Sequence, residues 1–514
     1  MREPAAGRVA ARPPRWHRRR SRAPPERSST EPAPSGEAPR TRPGALVRNR
    51  RAHAVVAGEP RTTEVVDKAG PGVRHTPWAA LRPLVLRLHF FAGVLVAPFV
   101  LITAITGLLY VLTPQLEQSI YRQQLHVPAT AAQAPLSTQV NVARNALPEA
   151  EFKAVRPAAT STDTTQVIFT AEELPESYYR TVFVDPHDAE IRGVLDTYGS
   201  DQALPLRAWV SELHRGLHLG DLGRVYSELA ASWLWVVVLG GIALWSGRRR
   251  ATRAPRMQPP GRTRVSSWHG VTGASIGVGL LFLSATGLTW STFAGDNVGK
   301  LRETLSWETP AVAEGLPMRV SFEQSSRRID IGYDRVRQVA THHGLTGPLE
   351  ITPAEHTGAA YIVRETGRSW PTQQDSVAIH PMTGQITDSV RFADYPLVAK
   401  LSRWGVDAHM GLLFGWPNQI ALAALMISAI CVILWGYRMW WLRRPTRGFG
   451  NPPARGAWRR LPIPLLLGGV LVTIGVGCAV PLLGISLLAF LCVDALLGMR
   501  ATAASEGGAR RPAG

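Results

Sequence analysis

Histidines are the residues in this chain whose placement could support chemistry. In SELHRGLHLGDLG (211–223), His214 and His218 stand four residues apart, just ahead of a long apolar run. His89 lies inside another apolar run, His269 stands just ahead of a third, and His409 opens HMGLLFG (409–415) before a further one. An imidazole at the edge of a membrane can be a plain interfacial group, a proton carrier or a metal ligand. Which of these applies depends on whether the positions form a pattern.

An internal repeat supplies the pattern. LHFFAGVLVAPFVLITAITGLL (88–109) aligns without a gap on WHGVTGASIGVGLLFLSATGLT (268–289). It matches His89 with His269, Gly93 with Gly273, Thr106 with Thr286, and Gly107 with Gly287. HRGLHLG (214–220) aligns on HMGLLFG (409–415), pairing His214 with His409 and Gly216 with Gly411. The same register runs on through Gly241/Gly436 and Trp245/Trp440 to Arg248-Arg249/Arg443-Arg444. Of the 14 histidines, only these four are matched.

Both copies run in the same direction, so a pseudo-twofold axis along the membrane normal is expected. It would set His89 opposite His269 at one depth and His214 opposite His409 at another. Two facing imidazoles in an apolar bundle are the arrangement that ligates a haem iron from both sides. Glycines near them, Gly93, Gly273, Gly216 and Gly411, would leave room for a flat macrocycle. His218 is one helical turn from His214, so it is an alternative ligand or a propionate contact. The reading is therefore two haem b groups, with His89, His269, His214 and His409 on the irons. His187 and His380, beside turn prolines, are expected at the surface. His342 and His343 are expected at a solvated helix end, and His17, His53 and His75 fall in the N-terminal tail.

The elements that must hold these residues are membrane helices. Apolar runs occur at 84–112, 225–247, 270–292, 417–442 and 462–498. A span takes roughly 20 apolar residues. The last run is long enough for two spans, with Pro481 at its middle, and is read as a hairpin. GRRRATRAPRMQPPGRTR (247–264) holds seven arginines and no acid, and 442–460 holds six and none. The positive-inside bias puts both in the cytoplasm. Segment 113–205, with 12 acidic and six basic residues, and segment 293–395, with 13 and ten, then lie outside.

The expected class is a membrane α-helical protein. Its core is a four-helix bundle from two tandem repeats, each span–outer α+β domain–span, followed by a C-terminal two-span hairpin. In order, the pieces are a basic cytoplasmic tail (1–78), the first span (79–112), outer domain 1 (113–205), and an interfacial helix with the second span (206–247). A basic loop (248–267), the third span (268–292) and outer domain 2 (293–395) follow. An interfacial helix with the fourth span (396–442), a basic loop (443–461), the hairpin (462–499) and a cytoplasmic tail (500–514) complete the chain. Helical patterns at 136–147 and 332–343, and strand-like runs at 165–170, 179–184, 359–363 and 375–380, give each outer domain one helix on an antiparallel sheet. The first 78 residues carry +10 of the formal net charge of +19. They are too polar to fold alone and suit anionic lipid, so the basic pI does not argue for nucleic acid. The first apolar run reads as a signal anchor. Cys431, Cys478 and Cys492 all fall in expected spans, which leaves the outer domains without disulfides.

No phosphate-binding Gly-Lys-Ser/Thr loop, Gly-x-Ser-x-Gly elbow, helical His-Glu-x-x-His or nucleotide fingerprint is present. Electrons would therefore come from a membrane quinol or a separate protein. At RLHFFAGVLVAPFVLITAITGLLY, ELHRGLHLGDLGRV, SWHGVTGASIGVGLLFLSATGL and DAHMGLLFGWPNQ the sequence resembles the PepSY-associated transmembrane family, over about residues 80–445. That family includes iron-regulated membrane proteins and ferric-siderophore reductases. The resemblance implies PepSY-like outer domains and a multi-pass protein of the bacterial inner membrane, in which alternation of the spans from the arginine-rich loops puts both termini in the cytoplasm. It also implies reduction of a ferric chelate or siderophore on the outer face. Two other readings stand beside this one. A haem-free, membrane-anchored regulator would bind a peptide or protein partner through its outer domains. A metal or siderophore permease would need ionisable residues at mid-membrane, and the four repeated spans have essentially none.

Overall fold

The computed structural model describes residues 77–129, 132–251, 260–316, 330–356, 358–442, 453, 455–456 and 461–509. The basic tail up to residue 76 and most of the two arginine-rich loops lie outside the described residues. Of the described helices, five have the length and apolar character of membrane spans: Pro77–Leu95, Gly220–Arg249, Thr263–Leu288, Trp416–Trp441 and Pro481–Arg500. The protein is a multi-pass membrane protein, with a lipid bilayer around its apolar helices.

The first apolar run does not form one continuous helix. Helix α1 (Pro77–Leu95) ends before Val96, and α2 (Ala97–Val111) begins after it. Pro98 accounts for the break. It has no N–H to give to the carbonyl of Val94, and its ring crowds that carbonyl. The freed oxygen is taken up by the Tyr437 hydroxyl, which donates to Val94 O at 3.1 Å. At Leu112 the chain bends by 45° into α3 (Thr113–Ile120), and a short helix, α4 (Arg122–Leu125), follows.

The following segments fold into one sheet. Helix α5 (Leu136–Ala146) precedes strands β1 (Glu151–Arg156), β2 (Thr165–Thr170), β3 (Tyr178–Val184) and β4 (Ile191–Tyr198). Helices α6 (Pro205–Gly216), α7 (Gly220–Ala251), α8 (Pro260–Leu288) and α9 (Phe293–Thr304) come next. Helix α10 (Gly332–His342) precedes β5 (Leu349–Thr352), β6 (Tyr361–Glu365), β7 (Ser376–Ile379) and β8 (Ile386–Val390). The strand order is β4-β3-β2-β1-β5-β6-β7-β8, antiparallel throughout. The two strand-bearing segments thus meet edge to edge, with Val155 of β1 paired to Ile351 of β5. This closes two edges that would otherwise expose unpaired backbone groups.

Val140 and Ala143 of α5, with Val336 and Ala340 of α10, cover one face and share a single buried core with β1–β3 and β5–β7. Asp334 joins the two helices, accepting from the backbone N–H groups of Leu136 and Ser137 at 2.6 and 3.0 Å. On the seam, Arg156 and Arg364 both pair with Glu350, which is 3% exposed.

The chain ends with α11 (Leu397–His409), α12 (Trp416–Trp441), α13 (Ile463–Ala479) and α14 (Pro481–Ala509). Helices α2, α7, α8 and α12 surround a core containing Ala104, Val238, Leu280, Met426 and Ala429. Pro481 opens α14, so the hairpin turns at Val480 as its position suggests. Gly477 and Gly484 let the two arms approach closely: a Cβ on Gly484 would lie 2.6 Å from Gly477 Cα. Trp233 Nε1 of α7 donates to Ser486 Oγ at 2.8 Å, and Arg87 of α1 forms an ion pair with Asp494 of α14.

Candidate functional site

The four repeat-matched histidines come together as two pairs. His89 of α1 and His269 of α8 have ring centroids 6.2 Å apart, with ring planes at 74°. Two metal–nitrogen bonds of about 2 Å each and two imidazole radii of about 1 Å together span about 6 Å. The observed centroid separation is of that size.

The second pair lies nearer the sheet. His214 is near the end of α6 and His409 ends α11, the two helices that lead from the sheet into the spans. Both rings line a cavity of about 260 Å³ whose wall includes Gly107, Tyr110, Gly287 and Met426. Arg215, Arg224 and Glu228 provide its charged lining. Glu228 also accepts the N–H groups of Phe293 and Ala294 at 2.9 Å each, holding the first turn of α9.

The hydrogen bonds fix which ring nitrogen is free. His89 Nδ1 lies 2.9 Å from Val237 O, and His269 Nδ1 lies 2.9 Å from Val432 O. A carbonyl only accepts, so each Nδ1 carries the proton. His214 Nδ1 lies 3.0 Å from Thr106 Oγ1, and His409 Nδ1 lies 2.7 Å from Thr286 Oγ1. Each of these hydroxyls is also within 3.1 Å of helix carbonyls one turn back, either of which can take its single proton and leave the oxygen as an acceptor. Each threonine oxygen therefore accepts from its histidine. All four imidazoles are left with a bare Nε2, the form that ligates a metal and whose orientation is set by the partner of Nδ1.

Glycines flank every ring. A Cβ on Gly241 would lie 3.1 Å from His89 Cε1, and one on Gly107 would lie 3.1 Å from His214 Cε1. The corresponding distances are 3.5 Å for Gly436 to His269 and 3.7 Å for Gly287 to His409. The sequence reading placed Gly93, Gly273, Gly216 and Gly411 beside the cofactor. In the structure a Cβ on Gly93 would meet nothing within 4 Å, and one on Gly273 would meet only Val432. Gly216 packs on Gly223 in the elbow between α6 and α7, and Gly411 takes φ +78° in the turn after His409.

The glycines that touch the rings were visible only as repeat-matched positions without an assigned role. Val237 and Val432 were missed altogether, although they too correspond in the repeat register. The backbone carbonyls are what matter there, and residue type does not signal them.

His218 takes φ +55° in that elbow, and its ring stacks on Trp209 at 4.9 Å. His214 is thus the histidine on the cavity. His342 and His343 are exposed. His187 is partly exposed, held by the carbonyls of Ala132 and Ser161 at 2.8 and 2.9 Å. His380, expected at the surface, is instead fully buried. Its Nδ1 accepts from the N–H of Met382 at 3.1 Å, the turn-closing job that Asp185 does for His187 in the first half. Burial pushes the His380 imidazole below its ordinary value.

Among the described residues, no group of three or more His, Cys, Asp or Glu could hold a bare metal ion. A pair of imidazoles suffices only for a metal whose other positions are already filled, as in a porphyrin. The residues present fit that group: two bare Nε2 atoms per site, apolar walls and a glycine beside each ring.

Residues 86–443 match the PepSY-associated TM region. The chain belongs to that family. The match contains all four paired histidines and stops short of the C-terminal hairpin. No curated protein matches the chain.

Proposed function

We propose that this family member carries electrons across a bacterial inner membrane on two haem b groups and reduces a ferric chelate, such as a ferric siderophore, on the sheet side. His89 and His269 would hold one group, and His214 and His409 the other. The carrying observation is the His89–His269 pair, 6.2 Å apart with both Nδ1 atoms committed to backbone carbonyls. The arginine-rich segments favour the cytoplasm for the His89–His269 end and the outside for the sheet.

Haem held by two imidazoles supplies reversible one-electron chemistry. The chain's own residues do the rest. The threonines and carbonyls behind Nδ1 keep each ring in one orientation. Apolar helices surround both pairs. The cavity walls and Arg215 and Arg224 suit a flat, mostly apolar group with an anionic edge. One electron from a membrane quinol or a separate reductase reduces one ferric ion. The ferrous product binds an oxygen-rich chelate less strongly, which releases iron for uptake.

The test is a reduced-minus-oxidised visible spectrum of the detergent-purified protein from haem-replete cells, with haem per chain quantified. Sharp low-spin b-type bands at about two haems per chain support the reading. His269→Ala should then lose one haem and keep the other. Colourless wild-type protein would overturn it.

A further inference from the structure

Six charged side chains of alternating sign lie between the sheet and the His214–His409 pair. From the first half, Glu117 pairs with Arg207 at 3.2 Å, and Arg207 with Asp201 at 3.6 Å. From the second half, Arg368 pairs with Asp407 at 2.7 Å, and Asp407 with Arg403 at 3.1 Å. Arg368 joins the halves, since its Nη1 lies 3.1 Å from Asp201 Oδ2.

Asp407 is the most demanding member. It is fully buried and stands two residues before His409 on the same helix. Among the described residues, the directed hydrogen bond onto its carboxylate comes from Arg368 Nε; its second oxygen faces Arg403 without one. A buried carboxylate without compensation is costly, so this guanidinium, with that of Arg403 beside it, makes the site tenable. Arg368 Nη2 also reaches the sulfur of Met410 at 3.2 Å, and Met410 lines the cavity.

Arg368 is carried by the loop between β6 and β7, and that loop is fastened to α11 and the turn that follows it. Trp370 N–H donates to Leu413 O at 2.7 Å, and Trp404 Nε1 donates to Thr372 Oγ1 at 3.1 Å. The Trp370 ring packs on Trp404 and Phe414. Asp201, its partner across the halves, lies just before α6, which carries His214.

We propose that Arg368 is a positioning residue for the His214–His409 pair: by gripping Asp201 and Asp407 together it fixes the two histidine-bearing helices and balances the buried charge beside the site. This rests on the haem reading for its electrostatic consequence, but not for its mechanical one.

Two measurements on the full-length protein test it. The first is a redox titration of wild type, Arg368→Gln and Arg368→Lys. In Arg368→Gln the Asp407 charge is less compensated and stabilises the ferric state. The midpoint of the sheet-side haem falls, the other haem keeps its midpoint, and one low-spin ferric resonance shifts. Arg368→Lys restores the charge and returns the midpoint toward wild type. Equal midpoints in wild type and Arg368→Gln overturn the electrostatic role. The second uses spin labels at Trp209→Cys on α6 and Leu401→Cys on α11, with the three native cysteines changed to serine. Arg368→Gln broadens the distance distribution between them, and an unchanged distribution overturns the clamp. Wild-type protein without haem would sink the proposed function, and the label distances alone would then decide the clamp.

Discussion

Thr286 Oγ1 lies 2.7 Å from His409 Nδ1, and its own proton is used by helix carbonyls one turn back. With its proton on a carbonyl the hydroxyl accepts from the histidine, which leaves Nε2 bare in a ring that lines the cavity. Thr286→Val keeps the shape and removes the acceptor. Loss of such a partner typically weakens a metal site about 10- to 100-fold. We expect Thr286→Val to lower retention of the sheet-side haem during purification, with Thr106→Val behaving alike. His89 and His269, held by carbonyls, should keep theirs. The pyridine haemochrome content of each variant checks this.

The glycines beside the rings are not equivalent. A Cβ at Gly107 would come within 3.1 Å of His214 Cε1, a distance at which the ring must shift, whereas at Gly287 it would sit 3.7 Å from His409. Gly107→Ala should thus perturb the sheet-side site while Gly287→Ala is tolerated. At the other site Gly241, at 3.1 Å, should be more sensitive than Gly436, at 3.5 Å. The measurement is the low-spin ferric resonance of each site. A Gly287→Ala change as large as that of Gly107→Ala would contradict the packing argument.

The paired histidines were legible because a gapless repeat marks positions without needing the fold. The same register holds their threonines and flanking glycines, but it cannot say which glycine touches a ring. The break at Val96 went unread, because 79–112 reads as one span although Pro98 stands inside it. Helices 136–147 and 332–343 were readable from their periodicity. Strand β1 was not, because Glu151–Arg156 carries three charges and its pairing with β2 is irregular between Phe152 and Ala154. The joining of two sheets through Val155 and Ile351 is a contact across nearly 200 residues, which local pattern cannot reveal.

Arg87 is 3% exposed and sits against Asp494 of the C-terminal hairpin, with the carbonyl of Pro453 also in reach and the Phe91 ring 4.7 Å away. Removing one partner of such a pair leaves an uncompensated buried charge, worth about 3–5 kcal/mol. Asp494→Leu should therefore lower the thermal stability of the detergent-solubilised protein and loosen α14 from α7. Arg87→Met combined with Asp494→Leu should recover much of the loss, because the two apolar side chains need no pairing. Tryptophan fluorescence follows the event, since Trp233 is bonded to Ser486 on the hairpin. A double variant no more stable than Asp494→Leu would show that the pair is not what docks the hairpin.

Glu350 gives the sheet a pH dependence whose sign can be worked out. Burial pushes its carboxyl up, but Arg156 and Arg364 outweigh burial and hold it below the ordinary 4.5. A group with a depressed folded value binds its proton more readily when unfolded. Its stabilisation is complete above the ordinary value and is lost as the pH falls through the folded one. The seam between β1 and β5 should therefore loosen in acid below about pH 4, where hydrogen exchange at Val155 and Ile351 should accelerate ahead of the sheet edges. Glu350→Gln removes the titrating group, so its seam should already exchange faster at neutral pH and change less in acid. An acid-induced loosening of equal size in Glu350→Gln would assign the effect to other carboxylates.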